Sequence, residues 1–154
     1  MNSTPLPDPI SSFSDLLRRA LGDALRTDAT TFLEMLADHV VMEFPYSPTG
    51  SVERLEGRPA LARHLEQVAG LLEFDEMHDL VVHPSREAGV FVLEFGCTGR
   101  GVQTGEPYNQ RYISVIRVRE GQIVHYRDYW NPLIVLSAVG GVEALRAASG
   151  GAAQ

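Results

Sequence analysis

The hydrophobic period of the chain changes near residue 72, and that change restricts the fold more than any other feature. Upstream, apolar residues recur at helical spacing. Phe13, Leu16, Leu17, Ala20, Leu21 and Leu25 form one stripe, which predicts a helix from a cap at Ser11 or Ser12 to about Arg26. Thr27 and Asp28 interrupt it, and Phe32, Leu33 and Leu36 predict a second helix over roughly 29–37. "HVVMEFPY" reads as a strand ended by Pro45, and "SPTGSVERLEG" reads as a loop of turn formers. Pro59 stands in the first turn of a third helix, where its missing N–H is tolerated, and Leu61, Leu65, Val68 and Leu72 mark the buried side. Downstream the period is two, with strands expected at about 74–83, 89–98, 109–119 and 122–130. "REGQ", Arg119 to Gln122, is a tight hairpin turn in which Gly121 supplies positive φ. Helices followed by mostly antiparallel strands with short links is an α+β pattern. The helices pack on one face of a curved sheet, giving a cone with an internal pocket.

With 154 residues, one domain is expected. Residues 1–10 read as a flexible arm, 11–140 as the domain, and 141–154 as a short helix and frayed tail. A net charge of −7, without a basic run, makes nucleic acid a poor partner, because phosphate neutralisation contributes nothing to its binding. Cys97 is the single cysteine and has no intrachain partner, which suits a reducing cytoplasm. The histidines show no HxH or HExxH spacing, so no metal site is implied. "MNSTPLPDPI" lacks the basic start of a signal peptide, and no run of about eighteen apolar residues predicts a membrane span.

Alternation sorts the last two strands into faces. Asn109, Arg111, Ile113, Val115 and Arg117 share one face; Gln110, Tyr112, Ser114, Ile116 and Val118 share the other. In the next strand Ile123, His125, Arg127, Tyr129 and Asn131 alternate with Val124, Tyr126, Asp128 and Trp130. The permanent cations assign the first set of each pair to solvent or a partner subunit. Asp128 therefore points inward among aromatic neighbours. A carboxylate in such a place is either a structural acceptor or a functional acid or base, and alternation alone leaves both readings open.

The order helix, helix, strand, loop, "EGRPAL", helix and four strands resembles the nuclear transport factor 2-like superfamily, and within it the SnoaL-like branch of small polyketide cyclases. "YNQRYISVIRVREGQIVHYRDYWNP" resembles the last hairpin of that branch, and "RLEGRPAL" supports the match. The resemblance covers roughly 12–138. It implies an acid/base role for Asp128, which matches the Asp in the Arg-Asp-Trp setting of the cyclases; their nearby His corresponds to Ser114. The ketosteroid isomerases of the superfamily place a base between Glu and Pro on the first strand, where "MEFPY" holds Phe44. Their two oxyanion-hole groups fall at Ala20 and near Ser114, so that chemistry is disfavoured. Limonene epoxide hydrolase-like enzymes match at Asp128, but Phe95 and Cys97 stand where their Arg and second Asp belong.

The function expected is thus acid/base chemistry on a small, apolar or amphipathic carbonyl metabolite, by a homodimer paired through the outer sheet face. A noncatalytic binding protein of the same fold and an epoxide hydrolase are the alternatives. Asp128 is the expected acid or base and His64, on the third helix, a second one across the pocket. No organic cofactor is implied either, since proton transfer within a pocket needs none. Gln110, Tyr112, Ser114, Tyr126, Trp130, Phe44 and Tyr46 are expected to bind substrate, Tyr46 at the pocket mouth. Cys97 is expected to be a small core residue.

Overall fold

The structure, a computed structural model, describes residues 10–150, with side chains to Ala148. A six-stranded sheet runs in the order β2-β1-β6-β5-β4-β3. Its strands are β1 (Leu36–Glu43), β2 (Arg54–Glu56), β3 (Leu72–Pro84), β4 (Val90–Gly101), β5 (Gln110–Arg119) and β6 (Gln122–Trp130). All neighbours are antiparallel except β1 and β6. Helices α1 (Phe13–Leu21), α2 (Phe32–Met35), α3 (Arg58–Leu71), α4 (Pro132–Val139) and α5 (Val142–Gly150) complete the described fold. This is the expected α+β arrangement of a curved sheet with N-terminal helices.

Ser12 caps α1 by accepting from the Asp15 amide at 3.1 Å. The helix ends at Gly22, whose φ of 51° leaves helical space, earlier than the expected Arg26. A single 3-10 turn follows, and it still delivers Leu25 to the core. The second helix is only one turn long. Thr31 and Glu34 form a reciprocal capping box at its start, but Leu36 already belongs to β1, paired with Ile123. Cross-strand pairing thus takes over a segment whose apolar spacing reads as helix. Within the expected loop, Arg54–Glu56 forms an edge strand against β1, too short for its alternation to register.

The hairpin turn is as expected, with Glu120 also at positive φ (51°) beside Gly121 (78°). Ile10, expected in the arm, is instead anchored: its amide and carbonyl both bond Met77, at 2.9 and 2.8 Å. Residues 1–9 and 151–154 lie outside the described residues. Helix α5 continues through Gly150.

Strand β3 carries two irregularities, between Phe74 and Glu76 and between His78 and Val81, where Asp79 has φ of 57°. Such bulges bend a strand and strengthen its twist. A third lies in the last hairpin: Arg117 faces His125 but Val118 faces Ile123, so Val124 is the extra residue. It reverses the phase of the strand start. Ile123, assigned outward by alternation, is fully buried. Beyond the bulge the assignment holds, with Tyr126 buried and Asp128 and Trp130 on the same face. The core packs between the concave side of the sheet and the helices, around Leu16, Leu17, Met35, Leu93 and Ile116. Among the described residues, no helix is long and apolar enough to cross a membrane.

Candidate active site

A cavity of about 430 Å³ lies between the helices and the concave sheet face. That is within the size range of small-molecule pockets. Its walls are almost entirely apolar. Phe13 comes from α1, Phe32 from α2, Phe44 from the end of β1, Phe95 from β4, and Tyr126 and Trp130 from β6. Helix α3 contributes Leu65 and Val68, which explains why this side of the helix is apolar yet incompletely packed.

Asp128 opens into this cavity. It is half-buried by surface, and the surface it keeps borders the cavity, while protein atoms crowd its other sides. Among the described residues, nothing donates a hydrogen bond to its carboxylate and no cation pairs with it. The hydroxyl of Ser114, its cross-strand partner, is engaged instead with the Tyr126 hydroxyl at 2.7 Å. Desolvation alone pushes the Asp128 pKa from 3.8 up to about 7. Near neutral pH the group therefore exists in both protonation states, the condition that suits proton transfer in either direction.

His64 lines the same cavity, its ring 5.0 Å from that of Phe44. Burial lowers its pKa below 6.5, so the imidazole is neutral at pH 7. A third polar feature is a pair of tyrosines. Tyr108 and Tyr112 share a hydroxyl–hydroxyl hydrogen bond of 2.7 Å, and both line the cavity. Burial raises both pKa values, so each phenol keeps its proton. Tyr112 also stacks on Phe95, with ring centroids 4.9 Å apart. Tyr108 escaped the sequence reading because it precedes β5; extending the alternation of Gln110 and Tyr112 by two residues places it on the same face.

The structure brings Asp128, His64, Tyr112, Tyr126, Trp130 and Phe44 to one cavity. Three expected binding residues belong elsewhere. The Gln110 amide is consumed as a clasp: its Nε2 donates to Asn131 O at 3.0 Å, and its Oε1 accepts from the Asn131 and Arg111 amides. Ser114 is fully buried and positions Tyr126. Tyr46 lies past the end of β1, is 60% exposed, and its ring meets that of Tyr129 at 5.3 Å on the outer sheet face. Tyr126 contributes its ring as wall while its hydroxyl serves Ser114. Cys97 is buried in the core, its thiol 4.0 Å from the Tyr112 hydroxyl, and burial raises its pKa. Among the described residues, no cluster of three or more His, Cys, Asp or Glu could hold a metal ion.

The SnoaL-like domain matches residues 17–126, most of the chain. The chain belongs to the SnoaL-like family. Curated relatives span nearly their full length with it. The YesE protein of Bacillus subtilis, itself uncharacterised, is 39% identical over 127 residues, 82% of this chain and 86% of YesE. A PhzA/B-like protein of Pseudomonas aeruginosa, also uncharacterised, is 38% identical over 117 residues, 76% of this chain and 82% of its own. A crystal structure from Bacillus subtilis, of a protein provisionally called an isomerase, superposes with a TM-score of 0.72 at 38% identity, covering 83% of this chain and 92% of that one. The fold is shared with a nuclear transport factor 2-like protein of Burkholderia xenovorans, at a TM-score of 0.62 and 18% identity, covering 80% of this chain and 92% of that one.

Proposed function

We propose that this SnoaL-like protein catalyses proton transfer at a carbon acid, with Asp128 as the group that takes and returns the proton. The observation that carries this reading is a carboxylate that, among the described residues, has neither a hydrogen-bond donor nor a counter-charge, set in an apolar cavity. A structural carboxylate acquires partners, because leaving it bare is costly. Asp128 is left bare where a ligand can reach it. The substrate is a small, largely apolar carbonyl compound of polyketide-like character. Asp128 removes a proton beside the carbonyl, and the Tyr112 hydroxyl, supported by Tyr108, donates to the carbonyl oxygen as negative charge develops there. Neutral His64 completes the proton traffic. Cyclase and isomerase outcomes share these steps and differ in where the proton is returned. The chain contains no lysine, so a lysine Schiff base plays no part.

A general-base probe tests this reading without knowledge of the substrate. 5-Nitrobenzisoxazole is a flat apolar molecule that opens to a coloured cyanophenolate when a base removes its ring C–H proton. The protein is expected to accelerate this opening, with a rate that rises with pH through about 7. Asp128→Asn is expected to lose on the order of a hundredfold of that rate. Equal rates for both proteins would leave Asp128 an orienting acceptor in a noncatalytic binding protein.

We further infer that two copies pair through the outer sheet face, where Tyr46 and Ile113 stand exposed, and that the protein works in a reducing cytoplasm with Cys97 as a free thiol.

A further inference from the structure

The charge distribution around the cavity carries a second inference, which rests on Asp128 being the polar centre of the site. The chain's thirteen cationic side chains are all arginines, and none of them lines the cavity. Its charged lining groups are Asp128 at depth and Asp75 and Glu76 from β3. Asp75 is 46% exposed and pairs at 3.4 Å with Arg100, which also pairs with Glu73 at 3.1 Å and does not line the cavity. The other titratable groups around Asp128 are His64 from α3, Tyr108 just before β5, Tyr112 on β5 and Tyr126 on β6, which line the cavity with it, and the Cys97 thiol on β4, which interacts with it electrostatically. Each is neutral when Asp128 ionises.

A ligand carrying a carboxylate, phosphate or sulfate would meet like charge here and no arginine to offset its lost hydration. A ligand carrying an ammonium would meet the reverse. Its N–H groups supply the donors that the Asp128 carboxylate lacks. The unprotonated imidazole of His64 can accept another. The walls add rings whose faces attract cations, among them Phe13, Phe32, Phe44 and Trp130. We propose that the carbonyl compound bound in this cavity also bears a protonated amine, whose N–H groups occupy one oxygen of the Asp128 carboxylate between the aromatic walls and leave the other oxygen free for the C–H proton, and that organic anions are refused.

Three probes of one skeleton test this by calorimetry at pH 8: 2-naphthylmethylamine, 2-naphthylmethanol and 2-naphthoate. The amine is expected to bind at least about tenfold more tightly than the alcohol, with no measurable binding of the carboxylate. Asp128→Asn is expected to erase the advantage of the amine over the alcohol, with a cooperative thermal melt showing that the variant remains folded. Equal affinity for amine and alcohol, an amine advantage that survives in Asp128→Asn, or binding of 2-naphthoate overturns the proposal. The 5-nitrobenzisoxazole assay separates this from the proton-transfer reading. Intact base catalysis without amine preference removes only the ligand class. Amine preference without base catalysis removes only the proton transfer and leaves a cation-binding protein.

Discussion

At the scale of single residues, Asp128 has a thermodynamic signature independent of any substrate. Its pKa is raised on folding, from 3.8 to about 7, so the folded state holds the proton more tightly than the unfolded chain. The stability it contributes is complete below about pH 4 and is lost as pH rises through 7. The shift corresponds to at most about 4 kcal/mol. Asp128→Asn, a neutral isostere, is therefore expected to be more stable than the wild type by about 1–3 kcal/mol at pH 8 and about equal to it at pH 4, as read by urea melts. His64 has the opposite sign. Its lowered pKa contributes stability above 6.5 that fades as pH falls through the folded value, so His64→Gln is expected to flatten the acid side of the same stability profile. A wild type whose stability rises from pH 4 to pH 8 in parallel with Asp128→Asn would contradict the Asp128 assignment. These two groups were legible in the sequence because alternation and helical spacing both point side chains at the same space. Which polar groups would be consumed by neighbours was not legible. Gln110 and Ser114 lie on the right face, yet each is closed off by a hydrogen bond to a partner at least twelve residues distant, Asn131 and Tyr126 respectively.

At the scale of elements, the sequence reading succeeded where one period runs unbroken and failed at its changes. Strands β4, β5 and β6 fall within a few residues of expectation, since alternation over nine or more residues is a strong signal. The α2–β1 junction was misplaced because pairing with β6, remote in sequence, decides where the helix stops. The inversion of Ile123 and Val124 came from a bulge, a feature that alternation cannot reveal. Two glycines test the packing that holds the cavity walls. A Cβ on Gly101, at the end of β4, would collide with the backbone oxygen of Ala138 in α4 and with Thr104 Oγ1. Thr104 itself donates to that oxygen at 2.6 Å, so the site has no slack. Gly101→Ala is expected to cost roughly 1–3 kcal/mol. Gly70, exposed in α3 with nothing near its missing Cβ, gives the contrast. Gly70→Ala is expected to stabilise the protein by about 0.5–1 kcal/mol through helix propensity. Thermal melts of the two variants check both signs.

At the scale of the whole molecule, the curvature of the sheet separates two surfaces with different tasks. The concave side encloses the cavity. The outer side carries the His83–Glu94 hydrogen bond at 2.6 Å and the Arg111–Asp79 ion pair at 3.2 Å, with Tyr46 and Ile113 exposed among them. If two copies pair there, Ile113→Arg, at 45% exposure, places a charge in the interface without touching the cavity. Light scattering is expected to show a dimer for the wild type and a shift to monomer for this variant, each with unchanged affinity for 2-naphthylmethanol. A wild-type monomer at micromolar concentration would refute the pairing and leave the cavity argument standing. The cavity itself was foreseeable from the α+β order, whereas its lack of cations emerges only when strands and helices converge.

The central claim is that a carboxylate without partners among the described residues, in a largely apolar cavity, ionises near neutrality. Its most direct test is a carbon-13 NMR titration of the aspartate carboxyl groups, with Asp128→Asn identifying the Asp128 signal. The account predicts one carboxyl titrating with a midpoint near 7, absent from the variant. A midpoint at or below about 4 for Asp128 would contradict it, since an ordinary aspartate value means the carboxylate is solvated or partnered.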